Sequence, residues 1–290
     1  MLASFLQLLK IYSISVSLLT FCYPRFSHSL FFNITSFNSE TDNIAFEGDA
    51  APSVNGAIEL SSANYQWRVG HLTYDQPIRL WDSTKGVLTD FRTRFSFTID
   101  PKESWQYSDG IAFYMAHTGH SIPPNSGGGY LGLFNTSSNE NVSENRIVMV
   151  EFDTFSNFEY DPPDVDRHVG INQNSLSSSS HTKFDFEGNE GKKGHVLITY
   201  NATTKYLDVY WSFTESLPEL LANSARLSLK IDLMKVLPEW IKIGFSAATG
   251  INPQRHAIHS WEFNSTLNST DSTTGRSGER KSNEEKQVAR

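Results

Sequence analysis

The feature that most constrains the fold of this chain is an alternation of apolar and polar residues with a period of two. Between Phe91 and Ile99 an apolar residue occupies every second position except that of Thr93, and Arg, Ser or Thr lies between them. Residues 196–200 and 207–211 repeat the pattern. Successive side chains of a strand point to opposite faces, so this period indicates strands with one buried face. Gly, Pro, Asn and Ser separate the runs, which is typical of many short strands in antiparallel sheets.

Helical patterns are scarce in this sequence. Residues 232–238 predict one short helical turn, which Pro238 would end because proline cannot continue a helix. The serine-rich run 175–180 is expected to be a loop. The sequence therefore predicts an all-β fold, an antiparallel β-sandwich, and such a sandwich can exceed about 200 residues as one domain.

The domain boundaries follow from where the apolar residues end. Of the 290 residues, 38% are hydrophobic and 13% aromatic, enough to bury a substantial core. After Phe263 the chain becomes rich in Ser and Thr, and then charged and free of aromatic residues. A segment of that kind cannot bury enough apolar surface to fold. We predict one globular domain over residues 30–270 and a disordered polar tail over 271–290.

The first residues have the features of a signal peptide. Lys10 precedes the largely apolar run 11–22, and the small residues Ser27 and Ser29 offer a cleavage site. An uncleaved membrane anchor is the alternative, but the run is shorter than the roughly 20 residues that a membrane span needs. We therefore expect residues 1–29 to be removed and the mature protein to be extracellular. The only cysteine, Cys22, lies in this leader, so the mature protein is expected to lack disulfides.

Six N-glycosylation sequons fit a secreted protein, because glycans are added in the secretory pathway. We expect modification at several of the six asparagines, which are Asn33, Asn135, Asn141, Asn201, Asn264 and Asn268.

The net charge limits the classes of partner. The formal charge is −8, and no basic stripe compensates for it, which argues against nucleic acid. Acidic groups are also the ligands that hard cations need.

An acidic stretch between Glu151 and His168 carries the clearest chemistry. Glu151 and Asp153 are two residues apart on a predicted strand, so both carboxylates face the same side and repel unless a cation relieves them. Pro162-Pro163 then imposes a loop that can return Asp161 and His168 towards that face. Carboxylate, amide and carbonyl oxygens suit calcium, and an added histidine suits manganese. From the residues alone, an exposed acidic strand end without a metal remains equally open.

The same stretch resembles the metal-site signature of the legume (L-type) lectins. The resemblance rests on residues 150–157, Asp161-Pro162 and 168–172, and it extends in order through residues 32–37, 46–50, 108–113, 127–134 and 238–247. It implies the legume-lectin jelly roll, which is like that of concanavalin A. Residues 161–165, 231–250 and 260–266 are also similar to the extracellular domain of plant L-type lectin receptor kinases.

The resemblance implies two ions. Manganese would be held by Glu151, Asp153, Asp161 and His168. Calcium would be held by Asp153, Asn157, Asp161 and the carbonyl of Phe155, and Ser178 would hold a water bound to manganese.

The resemblance also implies a sugar site. Asp109 would accept hydrogen bonds from sugar hydroxyls, and a cis peptide would join it to Ser108. The N–H of Gly129 would donate, Asn157 would serve both calcium and sugar, and the ring of Phe155 would pack against the sugar. A glycine is expected at 129 because a side chain would block the close approach of the backbone.

The last binding loop covers residues 250–256. Ile251 and Asn252 would offer backbone donors, whereas Pro253 lacks one. The loop is short, which in this family accompanies binding of mannose and glucose. The sequence thus predicts a secreted lectin for mannose- or glucose-type glycans, with a role in plant recognition or defence.

Three alternatives remain open from the sequence. Glu151 and Asp153 are also a pair that a β-sandwich glycosidase could use for acid–base catalysis. The polar tail after Asp271 leaves open a soluble relative or a truncated receptor ectodomain, which would belong to the plasma membrane in a longer form. The site could also be vacant for sugars, with the sandwich binding a protein or an apolar small molecule instead. Flat back sheets could pair two copies into a homodimer.

Overall fold

The computed structural model describes residues 29–102, 106–140, 142–214 and 225–267. The leader before Ser29, the predicted tail, and the sequon residues Asn141 and Asn268 lie outside the described residues. The domain boundaries therefore stay predictions.

Eighteen strands and four short helical segments make up the described part of the chain. The strands are β1 Leu30–Ile34, β2 Ile44–Gly48, β3 Ala51–Pro52, β4 Ile58–Ser61, β5 Val69–Tyr74, β6 Ile78–Arg79, β7 Trp81–Asp82, β8 Val87–Leu88, β9 Asp90–Asp100, β10 Gly110–His117, β11 Ile147–Asp153, β12 His168–Gln173, β13 Ser180–Lys183, β14 Lys193–Asn201, β15 Tyr206–Ser212, β16 Ala225–Lys230, β17 Trp240–Ala248 and β18 Arg255–Thr266. The α-helices are Thr136–Glu140 and Leu233–Val236, and the 3-10 helices are Gly128–Tyr130 and Val142–Glu144.

The long strands form two antiparallel sheets of eight strands each. The back sheet has the order β16-β15-β14-β9-β18-β4-β3, with β1 also paired to β18. The front sheet has the order β13-β12-β11-β10-β17-β5-β2, with β6 paired to β17. A separate hairpin joins β7 and β8. The prediction of an all-β antiparallel sandwich is confirmed.

The main core lies between the two sheets and is rich in aromatic residues. Phe95 of the back sheet meets Phe245 of the front sheet with ring centroids 4.7 Å apart, and Trp261 meets the same ring at 4.9 Å. Phe91, Phe97 and Ile99 are buried beside Phe95, as the alternation in β9 predicts. The residues of β14 and β15 that alternate in the sequence also enter this core.

The strand β11 is buried on both faces, and this is what places the acidic residues. Val148, Val150 and Phe152 face the main core. Ile147 and Met149 face the other way, into a second apolar cluster that covers the front sheet. Glu151 and Asp153 lie on that second face as well, and both are buried there.

The short helices agree only partly with the sequence. The helix Leu233–Val236 stops before Pro238, as predicted. The helix Thr136–Glu140 was not predicted, although a local signal exists: Asn135 and Ser138 exchange hydrogen bonds of 2.9 Å between their side chains and backbone N–H groups, which caps the helix. Within the described residues, no helix combines the length and the apolar character that a membrane span requires.

Candidate functional site

The acidic stretch of the sequence forms a compact cluster at the end of β11. Asp153 ends this strand and pairs in register with His168, which begins β12. The loop containing Pro162 returns Asp161 to the same place. One ligand atom from each of Asp153, Asp161 and His168 lies within 4.8 Å of the other two. The fold thus brings together three residues that the sequence places 15 positions apart at most.

Glu151 completes the cluster from the same face of β11. Its Oε1 accepts a hydrogen bond of 2.8 Å from the Ser178 hydroxyl and lies 3.1 Å from His168 Nε2. Gly170 lies opposite on β12, where a Cβ atom would overlap both Glu151 and Ser178. Within the serine-rich run 175–180, Ser178 is thus the residue that lies beside Glu151 and can reach a metal held in this cluster.

Burial and mutual repulsion raise the pKa values of the aspartates in this cluster. The pKa of Asp153 is raised well above its usual range by burial and by the charges of Asp161 and Glu151. Burial, with the charge of Glu151, raises the pKa of Asp161 to about 6. Burial alone would lower the pKa of His168, but its hydrogen bond to Glu151 and the nearby carboxylates raise it overall. A cation among these groups would relieve this repulsion.

The unpaired atoms of the cluster fit a metal centre. Asn157 donates its backbone N–H to Asp161 Oδ2 at 2.5 Å, and Phe155 donates its N–H to Asp153 Oδ1 at 2.7 Å. The side-chain Oδ1 of Asn157 and Nδ1 of His168 are buried and have no hydrogen-bond partner in the described structure. A buried amide oxygen without a partner costs free energy unless an unseen group satisfies it. Together the carboxylates, the amide oxygen and the imidazole form a donor set that suits calcium and manganese.

A cavity of about 230 Å³ opens beside this cluster and shares Asn157 with it. We call it the inner cavity. All six residues that the sequence assigned to a sugar site line it: Asp109, Gly129, Phe155, Asn157, Ile251 and Asn252. Its other lining residues include Trp67, Ser108, Gly128, Tyr130, Tyr160 and Gly250.

Asp109 is held at the floor of the inner cavity from several sides. Its carbonyl accepts hydrogen bonds from the Thr154 N–H at 2.7 Å and the Thr154 hydroxyl at 2.8 Å. Its Oδ2 accepts one of 3.0 Å from the Ser108 hydroxyl. Burial, together with the charge of Asp161, raises the pKa of Asp109 to about 7. The hydrogen bond from Ser108 opposes this rise.

The expected cis peptide between Ser108 and Asp109 is wrong for this structure. The described residues contain no cis peptide, so this bond is trans. Asp109 instead has a φ of 30°, in the left-handed half of the map, and this turn aims its carboxylate into the cavity. The two hydrogen bonds from Thr154 hold the carbonyl that follows the turn.

Gly129 lies against the side chains that link the cavity and the cluster. A Cβ atom at this position would overlap the Tyr160 hydroxyl and the side-chain amide of Asn157. The need for glycine here thus comes from the close fit between Gly129 and its protein neighbours.

The loop 250–256 divides into two halves with different positions. Ile251 lies exposed at the rim, and the side chain of Asn252 donates to the Tyr107 carbonyl at 3.1 Å. Gln254 is fully buried: its Oε1 accepts the Ser108 N–H at 2.8 Å, and its Nε2 donates to the Thr154 hydroxyl at 3.2 Å. The second half of the loop therefore supports the residues that hold Asp109.

Sequence reasoning missed Trp67 and Tyr160, which both line the inner cavity. Trp67 is 62% exposed. The available signal was a bulky aromatic residue inside the polar stretch 61–68, which no apolar period explains. Tyr160 lies within the acidic stretch and was not singled out there because Phe155 already supplied an aromatic ring.

The described sequon asparagines are accessible to different degrees. Asn33 and Asn201 are exposed, whereas Asn135 and Asn264 are partly buried. None of the four lines the inner cavity.

The fold is a sandwich in which a buried acidic cluster lies beside a small cavity, the arrangement of a ligand-binding protein. The family model described as the legume lectin domain matches residues 29–279. The chain belongs to the legume lectin family. The match and the lectin relatives point to a non-enzymatic carbohydrate-binding protein. Legume lectins typically bind Ca²⁺ and Mn²⁺, and the Asp153–Asp161–His168 cluster is a candidate for that centre.

Three similar proteins illustrate the range of the match. The L-type lectin-domain containing receptor kinase IX.1 of Arabidopsis thaliana is 44% identical over 245 residues, which are 84% of this chain and 37% of that protein. The chain thus spans little more than a third of the receptor kinases it matches. The lectin of Lens culinaris subsp. orientalis is 36% identical over 271 residues, or 92% of this chain and 96% of the lectin. A lectin from Bauhinia forficata in complex with GalNAc superposes with a TM-score of 0.71 at 33% identity, covering 82% of this chain and 99% of the lectin.

Proposed function

We propose that this chain is a calcium- and manganese-dependent lectin that binds one hexose of a glycan in the inner cavity. One observation carries the proposal: the six residues assigned to a sugar site from the sequence line a single cavity, and Asn157 joins that cavity to the acidic cluster.

In this proposal the acidic cluster holds both ions. Glu151, Asp153, Asp161 and His168 would hold manganese, and Asp153, Asn157, Asp161 and the Phe155 carbonyl would hold calcium. The bound cations would neutralise the carboxylates. The raised pKa values of Asp153 and Asp161 and the unpaired Oδ1 of Asn157 support this assignment.

The inner cavity offers the groups that a sugar needs. The carboxylate of Asp109 accepts hydrogen bonds from two hydroxyls, and the N–H of Gly129 and the side-chain NH₂ of Asn157 donate to them. Phe155 packs its ring against the apolar face of the sugar, where flat apolar contact is favourable. Ile251 and Asn252 contribute backbone donors at the rim.

The test of this function is a change at Asp109 that removes the charge and keeps the size of the side chain. Asp109→Asn keeps the shape of the side chain but replaces one acceptor oxygen by a donor. We expect titration calorimetry of the metal-loaded protein with methyl α-D-mannopyranoside to show at least about a 100-fold loss of affinity, the order expected when a buried charged hydrogen bond is lost. The matched control is Asp75→Asn, an exposed aspartate outside the cavity. Undiminished binding by the Asp109 variant would place the sugar elsewhere.

We propose mannose or glucose as the bound hexose, because the loop 250–256 is short. Galactose-type sugars are the second candidate, since the similar lectin from Bauhinia forficata was crystallised with GalNAc. A glycan array with the metal-loaded protein separates the two. Signals confined to terminal galactose or GalNAc would overturn the first choice and leave the lectin function intact.

We also propose that the chain acts outside the cell, in plant recognition or defence, or at the plasma membrane if it is part of a longer receptor. The predicted leader and the accessible sequons Asn33 and Asn201 support this. Expression in plant cells should deliver the protein to the apoplast with a mass that falls on treatment with N-glycosidase. Retention in the cytosol without glycans would contradict it.

A further inference from the structure

A second depression lies directly beside the inner cavity and shares one wall with it. We call it the outer groove; Trp67, Val69, Ile122, Pro123, Asn125 and Tyr130 line it, and its volume is about 550 Å³. Trp67, Gly127 and Tyr130 line both the inner cavity and the outer groove. The two depressions are therefore continuous across the indole of Trp67.

The backbone of Trp67 is held by hydrogen bonds in and around it, although the side chain is exposed. Its N–H donates to the Gly250 carbonyl at 3.1 Å. On either side, Gln66 Nε2 donates to the Ile251 carbonyl at 2.5 Å and the Arg68 N–H donates to the Thr249 hydroxyl at 2.9 Å. The backbone of Trp67 has a φ of 56°, which is rare for a bulky residue and is imposed by this network. Because the backbone of Trp67 is held in place, the indole stays at this rim, and less conformational entropy is lost there when a ligand covers it.

The ring of Trp67 lies over the glycine-rich segment that supplies the predicted Gly129 donor. A Cβ atom on Gly128 would lie 3.3 Å from the indole, so the glycine allows the ring to pack closely there. Large exposed aromatic residues beside a polar cavity mark binding surfaces more often than scattered apolar residues do.

The lining of the outer groove fits a neutral ligand with one apolar face. Ile122 and Pro123 are half-buried, Asn125 is exposed, and no charged residue lines the groove. Ile122 is fixed because its N–H donates to Glu47 Oε1 at 2.9 Å. A sugar ring has a face of C–H groups and a rim of hydroxyls, so it can stack on the apolar surface and hydrogen-bond with an amide. A charged peptide or a phosphate would find no partner there.

We propose that the outer groove is a second sugar subsite and that Trp67 is the stacking platform for the next residue of an oligosaccharide. The proposal rests on the lectin function above and deepens it: the natural ligand is a chain of at least two sugars, with one residue on Asp109 and the next over Trp67. The preference of the protein among glycans then depends on the linkage that spans Trp67 as well as on the terminal hexose.

The test compares a monosaccharide with its oligosaccharide on the same protein. Titration calorimetry of the metal-loaded chain uses methyl α-D-mannopyranoside against a branched mannotriose, and methyl α-D-galactopyranoside against N-acetyllactosamine. In the series that the protein recognises, we expect the oligosaccharide to bind at least about tenfold more tightly, or ~1.4 kcal/mol. Trp67→Ala and Ile122→Ser should each reduce this ratio to within about threefold, which is the size of a lost apolar contact at a partly exposed site.

Matched variants separate the groove from the fold and from the inner cavity. Ile122 does not line the inner cavity, so Ile122→Ser should leave the monosaccharide affinity unchanged. Trp67→Phe should restore most of the ratio, because it keeps an aromatic face. Phe158→Ala removes an aromatic residue that is 91% exposed and lines neither depression, and it should change nothing.

The outcomes distinguish the two proposals. If the wild type binds no monosaccharide, the proposed function fails and the second subsite with it. If the monosaccharide binds but neither oligosaccharide binds more tightly, the second subsite alone is overturned. It is also overturned if Trp67→Ala weakens monosaccharide and oligosaccharide by the same factor, because Trp67 would then serve only the inner cavity.

Discussion

Asn157 connects the two halves of the site at the scale of a single residue. Its backbone N–H holds Asp161, its buried Oδ1 has no partner among the described atoms, and its amide touches the space beside Gly129. One short residue therefore borders the acidic cluster on one side and the inner cavity on the other. A displacement of the Asn157 side chain would therefore disturb the acidic cluster and the inner cavity together.

Gly129→Ala tests that close fit. The added methyl group would overlap Tyr160 and Asn157, so Asn157 must move away from its place between the cluster and the cavity. We expect sugar binding to become undetectable by titration calorimetry, while the circular dichroism spectrum of the sandwich is kept.

The control for this variant is Gly119→Ala, because a Cβ atom there meets nothing closer than 3.5 Å and the backbone is not left-handed. Full sugar affinity in Gly129→Ala would show that Asn157 is not needed where the structure places it.

Single residues were predictable where the chemistry is local in sequence. Glu151, Asp153, Asp161 and His168 lie within 18 positions and carry an unusual set of ligand types. Trp67 and Gln254 could not be found in this way. Both reach the site through contacts between segments more than 100 positions apart, such as Gln254 with Ser108 and Trp67 with Gly250. The residues next to Trp67 and Gln254 in the sequence form no motif that indicates a place in the site.

At the scale of one element, β11 couples stability to function. Its alternation sends Phe152 into the main core and places Glu151 and Asp153 on the opposite face. The packing of Phe152 in the core therefore helps to set the position of the carboxylates on the opposite face. Phe152 contacts Phe97 with ring centroids 5.0 Å apart and also packs on Phe184.

Phe152→Ala should expose that dependence. Removing this fully buried ring creates a cavity in the aromatic core, and we expect the free energy of unfolding in urea to fall by about 3–5 kcal/mol. Phe158→Ala, six positions along the chain but exposed, should change it by no more than about 0.5 kcal/mol. Equal effects of the two variants would contradict the burial that the structure gives Phe152.

The long strands were predictable and the short elements were not, for a physical reason. In β9, β14 and β15 one face is buried against the core over at least seven residues. Apolar residues therefore recur at every second position for long enough to be recognised in the sequence. The strands β3, β6, β7 and β8 have two residues each, too few to show any period. Their pairing is decided by neighbours elsewhere in the fold.

At the scale of the whole molecule, metal binding and proton binding should compete. Without cations, the pKa values of Asp161 and Asp109 are raised to about 6 and about 7, above the ~3.9 of an unfolded aspartate. The stability that each proton contributes is present at low pH and is lost as pH rises through 6 and 7. Cations should replace the proton of Asp161 in that range, because Asp161 is a proposed metal ligand and a metal binds the deprotonated ligand, whereas Asp109 is assigned to the sugar cavity.

We therefore expect the difference in melting temperature between metal-loaded and EDTA-treated protein to be largest near pH 8 and to shrink towards pH 5. At about 100-fold excess over Kd each ion should contribute ~2.7 kcal/mol. Comparing the two forms at each pH cancels the titration of buried histidines outside the cluster, such as His71 and His256, which is common to both. A difference that stays constant from pH 8 to pH 5 would rule out metal ligation by these carboxylates.

Glycans should control whether two copies pair through their back sheets. The outer face of that sheet is polar, with Arg92 bound to Glu262 at 2.7 Å. Asn33 lies opposite Glu262 in register, and Asn264 lies opposite Arg92, so two sequons occupy this face. A glycan on either asparagine would cover it.

We predict a homodimer for protein made without glycans and a monomer for the glycosylated form, measured by light scattering after size exclusion. The control is Ser137→Ala, which removes the sequon of Asn135 outside the back sheet and should leave the mass of both forms unchanged apart from that glycan. A monomer in both preparations would contradict the prediction that two copies pair through the back sheet.

The hydrogen bonds between residues 66–68 and 249–251 have a consequence for protein engineering. The rim of the inner cavity is built from two chain segments that lie about 180 positions apart and share backbone contacts. Exchanging the loop 250–256 for that of a lectin with another sugar preference would transplant only one of the two. A graft intended to change specificity should therefore carry Gln66, Trp67 and Arg68 together with the loop, so that both chain segments are exchanged at once.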